Sequence, residues 1–238
     1  MVTQLQSPDK QNIIYPDSDG EPMADNTEQF RLIVGIKENL ELLFANNPNI
    51  FVAGDLLWYP VQGSPEIRRA PDVMVAFDRP KGYRGSYLQW QENNIAPQVV
   101  FEILSPGNSI KEMTQKFAFY RRYGVEEYYL YDPDRLDLCG WLRAESELEV
   151  IDSMDNWVSP RLGIKLKLSD SGIQIYRPDN EPFLSFLELD QLRQQAQQQA
   201  QEAEQRAQEA EQRAQQAETR SRLLEARLRE MGIDPNQV

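Results

Sequence analysis

The stretch VVFEILSPGNSIKEMTQKFAFYRRYGVEEYYLYD, residues 99–132, decides the reading of this chain. It opens with a run of β-branched and aromatic residues that predicts a buried strand over about 97–104. Ser105-Pro106-Gly107-Asn108 is a turn. Ser109 with Glu112 three residues later is a capping-box pattern, and it opens a helix that runs to about Tyr123, where Gly124 stops it. A second strand is predicted over about 126–131.

Two residues inside the stretch do not belong to an ordinary core. Glu102 interrupts the apolar run, and an ionised carboxylate on a buried strand needs a counter-charge or a metal ion unless it reaches solvent through the pleat. Met113, Lys116, Phe117 and Tyr120 share one helical face at 3,4 spacing, so Lys116 lies on or beside the packing stripe. A lysine directed inward has a carboxylate or phosphate to meet, whereas one at the stripe's edge merely snorkels to water.

Upstream, Asp72 enters a predicted strand over 71–77 (PDVMVAF), and a further strand is expected over about 50–58 (IFVAGDLLW). Carboxylates on neighbouring strands can share a divalent cation, which prefers oxygen ligands. Asn26-Thr27 caps a predicted helix over about 27–46. Shorter strands are expected near 136–142, 147–152 and 173–176. The pattern is that of one α/β or α+β domain. Between them lies PKGYRGS (80–86), which lacks the strand–loop–helix context and GK[ST] ending of a P-loop. It concentrates Arg79, Lys81 and Arg84 just downstream of Asp72: an ordinary loop, or a set of phosphate contacts beside a cleft.

Composition narrows the chemistry. The 238 residues include no histidine and one cysteine, Cys139. Histidine triads, histidine-ligated zinc and any imidazole acid–base step are excluded. The lone cysteine excludes an internal disulfide and a cysteine-cluster metal site, and it fits a reducing cytoplasm. Catalysis must then rest on carboxylates, lysine, arginine, tyrosine or serine, with a hard cation such as Mg²⁺ or Mn²⁺. The polar N-terminus lacks the apolar core of a signal peptide, and no stretch approaches the length of a membrane span. The formal charge of −13 opposes general nucleic-acid coating but leaves room for a nuclease with a metal-loaded cleft.

Composition changes near residue 190. The segment AQEAEQRAQEAEQRAQQAETRSRLLEARLREM contains no proline or aromatic residue. Alanines recur at 3,4 spacing from Ala200 to Ala217, in phase with Ser221, Leu224, Leu228 and Met231, which is a heptad seam. Leu189, Leu192 and Ala196 precede it across a stutter. One helix over about 186–231 is predicted, with Gly232 as its stop and Pro235 beyond, either as a solvated charged helix or as a short coiled coil. Since alanine buries little area, weak self-association is expected, with homodimerisation resting mainly on the preceding domain. The predicted organisation is a loosely ordered arm (1–25), a domain (26–188), a coiled-coil helix (189–231) and a tail (232–238).

PDVMV, VVFEILSPGNS and the run from Lys116 through YGVEEYYLYD, in that order, resemble the Uma-two family of restriction endonucleases. That family is a branch of the PD-(D/E)XK nuclease superfamily abundant in cyanobacteria. The resemblance spans roughly residues 26–188. It implies a restriction-endonuclease-like mixed sheet with flanking helices, and a metal-dependent endonuclease acting on DNA. Asp72 matches the PD aspartate and Glu102 the acid of the following strand, with the Ile103 carbonyl as a further metal ligand. The superfamily lysine two residues beyond the acid falls on Leu104, and Lys116 on the helix takes its place. An N-terminal helix glutamate often completes such sites; Glu28, Glu38 and Glu41 compete for it. The other reading is a catalytically silent nuclease-like module whose working part is the tail, with a second chain as coiled-coil partner.

Overall fold

In the computed structural model, which describes residues 13–20 and 22–232, the central stretch forms β5 (Val99–Ile103), α2 (Ile110–Tyr123) and β6 (Glu127–Asp132). β5 and β6 are parallel, in a register that runs from Val99 opposite Glu127 to Ile103 opposite Tyr131. A parallel pair cannot be closed by a tight turn, so α2 makes the crossover. Ser109 accepts a hydrogen bond from the Glu112 amide at 3.2 Å, while the Glu112 carboxylate accepts from the Asn108 side chain rather than closing a box. Gly124 ends the helix at φ +97°, a left-handed conformation that suits glycine.

Ahead of this unit come α1 (Thr27–Leu43), β1 (Ile50–Gly54), β2 (Trp58–Tyr59), β3 (Val73–Phe77) and β4 (Tyr87–Leu88). After it come β7 (Asp137–Ala144), β8 (Glu147–Val150), β9 (Trp157–Val158), β10 (Lys165–Ser169), β11 (Gly172–Tyr176) and α3 (Phe186–Glu230). The main sheet has the order β1-β3-β5-β6-β7-β8, and only the β5–β6 pair is parallel. Side chains alternate across a strand, so successive residues of β3 and β5 serve opposite faces. Val73, Val75, Phe101 and Ile103 pack with Ile33, Ile36 and Leu40 of α1. Met74, Ala76 and Val100 pack with Phe119 and Tyr120 of α2. With helices on both faces, the inner strands are buried at nearly every position, which explains their unbroken apolar sequence.

A smaller antiparallel sheet, β11-β10-β9, adds Leu166 and Ile175 to the α1-side core. Glu127 of β6 ties it down, accepting hydrogen bonds from the Arg161 amide at 2.6 Å, from Tyr129 and from Ser159. Burial pushes the Glu127 carboxyl upward, and these donors only partly offset it.

Several expectations need correction. The strand expected over 50–58 breaks after Gly54, because Asp55 turns the chain at φ +48°. Helix α1 stops at Leu43, short of 46, and the strand expected over 147–152 ends at Val150. β4, β9 and β10 were not expected. Within the predicted arm, Tyr59 donates to the Pro16 carbonyl at 2.8 Å and Tyr15 packs edge-on against Tyr59; residues 1–12 lie outside the described residues, as does Pro235.

The chain divides into two compact units at Leu184/Ser185. The second is α3, which opens with a complete capping box: Ser185 accepts from the Glu188 amide at 3.3 Å, and the Glu188 carboxylate accepts from the Ser185 amide at 2.8 Å. Its surface carries Glu–Arg pairs at i,i+4, including Glu202–Arg206 at 3.3 Å and Glu218–Arg222 at 2.5 Å.

Candidate functional site

Pairing of β3 with β5 sets Val73 opposite Phe101. One step further, Asp72 stands beside Glu102, at the end of the sheet from which the α2 crossover leaves. Pro71, without an amide hydrogen, precedes the strand, and the Asp72 carboxylate accepts the Ile103 amide at 2.6 Å. Glu102 is 1% exposed and points to the α2 side. From α2, Lys116 Nζ donates to Glu102 Oε2 at 2.7 Å and the Tyr120 hydroxyl donates to Oε1. The structure thus brings Asp72, Glu102 and Lys116 together, and it adds Tyr120, one turn beyond the lysine. The counter-charge that Glu102 needs comes from the helix, since position 104 holds leucine.

The electrostatics follow from this crowding. Burial and the neighbouring Glu102 charge hold Asp72 well above the ordinary carboxylate range, against the pull of Lys116 and the Ile103 amide. Burial disfavours the Lys116 ammonium, yet Glu102 and Asp72 outweigh it and raise its pKa. Lys116 therefore stays charged at neutral pH.

Asp72 and Lys116 line a cavity of about 820 Å³, whose wall also includes Gln29, Asp55, Arg68 and Arg69. Asp55 was missed in the sequence, where it read as mid-strand; the Gly54-Asp55 pair was the available sign of a turn. Its amide donates to the Pro71 and Asp72 carbonyls at 3.1 and 3.2 Å, which locks the turn against the start of β3. Burial, then the Asp19 charge, push its carboxyl up to about 6.

None of the three candidate glutamates of α1 lines the cavity. Glu28 pairs with Arg31 at 3.8 Å, Glu38 with Lys37 at 2.9 Å and Glu41 with Lys81 at 2.8 Å. The α1 residue that reaches the site is Gln29, whose amide nitrogen donates to the Ile103 carbonyl at 2.8 Å. The loop cations are also elsewhere. Arg84 bonds Glu92 at 2.6 Å with its guanidinium 3.9 Å above the Phe51 ring, and Arg79 lies 3.8 Å from the same carboxylate. With Lys81 held by Glu41, all three are matched internally. Arg68 and Arg69, immediately upstream of the Pro71-Asp72 pair, supply the cavity's guanidinium groups instead.

The donors available to a cation are all oxygen, as Mg²⁺ and Mn²⁺ prefer. Asp72 and Asp55, both held above their ordinary pKa, are carboxylates whose charge a divalent cation would stabilise. The Ile103 carbonyl has a second lone pair beyond the one Gln29 uses. Among the described residues, no group of three or more acidic side chains stands at metal-binding spacing, so water or substrate oxygens would complete the shell. On this chemistry the residues fit the ion.

A family model described as "Putative restriction endonuclease", Uma2, matches residues 3–175. The chain belongs to the Uma2 family. The match contains Asp55, Asp72, Glu102 and Lys116, and it ends before α3. Among solved structures, a "putative nuclease" of the DUF820 group from Anabaena variabilis ATCC 29413 is similar, at 18% identity and a TM-score of 0.43. The alignment covers 57% of this chain and 72% of that one. No curated protein matches. No helix among the described residues of this Uma2 chain is long and apolar enough to cross a membrane.

Proposed function

We propose that this Uma2 chain hydrolyses phosphodiester bonds in DNA with a bound Mg²⁺ or Mn²⁺. The observation that carries the reading is the charged Lys116 amine, fixed by the buried Glu102 and set on a cavity wall beside Asp72. Asp72, Glu102 and the Ile103 carbonyl would hold the cation, with Asp55 as an added carboxylate on the wall. When bound, the ion supplies a Lewis acid for the phosphate and lowers the pKa of a water nucleophile. Lys116 donates to the phosphate oxygens and balances charge that builds as water attacks; with its raised pKa it acts as an acid-side group rather than a base. Glu102 keeps that amine charged and aimed, and Tyr120 keeps Glu102 in place. Arg68 and Arg69 hold flanking phosphates, the role expected earlier of Arg79, Lys81 and Arg84.

One feature favours a silent binding module instead. Both Glu102 oxygens are already engaged by Lys116 and Tyr120, so a cation must compete for that carboxylate. The test is nicking of supercoiled plasmid with Mn²⁺, together with Mn²⁺ binding by titration calorimetry. Wild type is expected to bind and cut. Lys116→Met should lower the rate by about a hundredfold or more without lowering Mn²⁺ affinity, since it frees a Glu102 oxygen, and Glu102→Gln should lower both. A wild-type chain that neither binds Mn²⁺ nor cuts supports the module.

A further inference from the structure

Helix α3 spans 45 residues, and none of them is buried. Its seam fixes a heptad phase: Ala200, Ala207, Ala214, Ser221 and Leu228 hold one core position, and Ala203, Ala210, Ala217, Leu224 and Met231 the other. The charges beside that seam are sorted by sign. The position after each residue of the second set, from Ala203 to Leu224, is Glu204, Glu211, Glu218 and Glu225. The position before each residue of the first set, from Ala207 to Leu228, is Arg206, Arg213, Arg220 and Arg227. One edge is uniformly acidic over these heptads and the other uniformly basic.

Pairing within a lone helix accounts for only half of these edge charges. Its own i,i+4 pairs join Glu202–Arg206, Glu209–Arg213, Glu218–Arg222 and Glu225–Arg229. Among the described residues, Glu204, Glu211, Arg220 and Arg227 take part in no ion pair within the helix. In a two-stranded coil the flanking positions face the partner, and which of them meet depends on orientation. In a parallel, in-register pair, Arg206 faces the partner's Glu211, Arg213 the partner's Glu218, and Arg220 the partner's Glu225. In an antiparallel pair, acidic edge meets acidic edge and basic meets basic.

We infer that α3 is a docking surface for a second copy of this chain, paired parallel and in register. Alanine in the seam lets the backbones approach closely, which brings the flanking charges within reach. Leu224, Leu228 and Met231 add an apolar anchor at the C-terminal end, where Leu224 and Met231 are 56% and 61% exposed in the single chain. The pairing is weak in burial and specific in charge. A parallel coil puts both domain-bearing ends together, and this holds whether or not the domain cuts DNA.

The experiment uses the full chain with Cys139→Ser and Ser221→Cys, oxidised by glutathione disulfide. A parallel in-register coil sets the two Ser221 positions face to face, so a disulfide-linked dimer is expected. Adding Glu204→Lys, Glu211→Lys, Glu218→Lys and Glu225→Lys makes both edges basic and should cut cross-linking by about tenfold. Mixing that chain with one bearing Arg206→Glu, Arg213→Glu, Arg220→Glu and Arg227→Glu should restore it, with circular dichroism confirming helicity throughout. A Ser221→Cys chain that stays monomeric, or cross-linking untouched by charge reversal, overturns the inference. So does an Ala203→Cys chain that links to a Leu228→Cys chain in preference to itself, since only an antiparallel coil joins those positions.

Discussion

At the scale of single residues, the site is a set of carboxylates held where their charge is least welcome. Asp55 shows this in measurable form. Its pKa of about 6 in the folded chain stands above the ordinary 3.8, so the native state binds more protons than the unfolded state between those values. Stability contributed by this group is therefore greatest below about pH 4 and falls as pH rises to about 6, beyond which the loss is complete. Asp72 is raised in the same sense and extends the effect. Thermal midpoints of the metal-free chain should accordingly fall more steeply from pH 4 to pH 6 in wild type than in Asp55→Asn, with Mn²⁺ removing the difference. Parallel pH profiles for the two proteins would show that the Asp55 carboxylate is free to ionise. The same logic explains Lys116: an amine beside two carboxylates gains proton affinity, whereas burial alone would have lowered it.

Among the elements, the β5–α2–β6 crossover sets the distance between the strand acid and the helix amine. Its geometry depends on where α2 ends as well as where it begins. Gly124 holds the left-handed turn at φ +97°, and a methyl group added there would contact the Ala96 side chain at 3.5 Å. Gly124→Ala is expected to cost about 1 kcal/mol, nearly all of it from the backbone conformation. Since Gly124 lies about two turns beyond Lys116, Mn²⁺ affinity should be retained while denaturant midpoints fall. A loss of affinity without a loss of stability would mean that the helix shifts along its axis. On the opposite face, α1 contributes an amide, Gln29, that orients the Ile103 carbonyl, and its acidic residues are spent on surface pairs.

At the scale of the whole molecule, the chain separates into a mixed-sheet domain and a helix that contributes nothing to a core. The boundary at Leu184/Ser185 falls where the complete capping box begins. Asn39 of α1 closes the domain at this point, with its side chain bonded to both the amide and the carbonyl of Leu184 at 3.0 and 2.9 Å. A chain ending at Leu184 should therefore fold and bind Mn²⁺ with the affinity of the full chain, within about twofold. Measured by calorimetry, a loss beyond tenfold would show that α3 supports the site. Sedimentation of the same truncation separates association through the domain from association through the coil.

Local patterning along the chain marks the elements that need no distant partner. Ser109 and Gly124 bracket α2, the apolar runs mark β3 and β5, and the 3,4 alanine spacing marks α3. It also singled out Asp72, Glu102 and Lys116, because charge in a buried run or on a packing stripe is costly and so conspicuous. Features that depend on residues far apart in the chain arise on folding. Asp55 looked like a strand residue until its turn closed on Pro71 and Asp72. Gln29 carried no charge to advertise it, yet it lies against a carbonyl 74 positions away. Arg79, Lys81 and Arg84 looked free because their carboxylate partners, Glu41 and Glu92, are remote or unremarkable in sequence. Periodicity and burial cost are written along the chain, whereas the neutralisation of one charge by another exists only once the chain has folded.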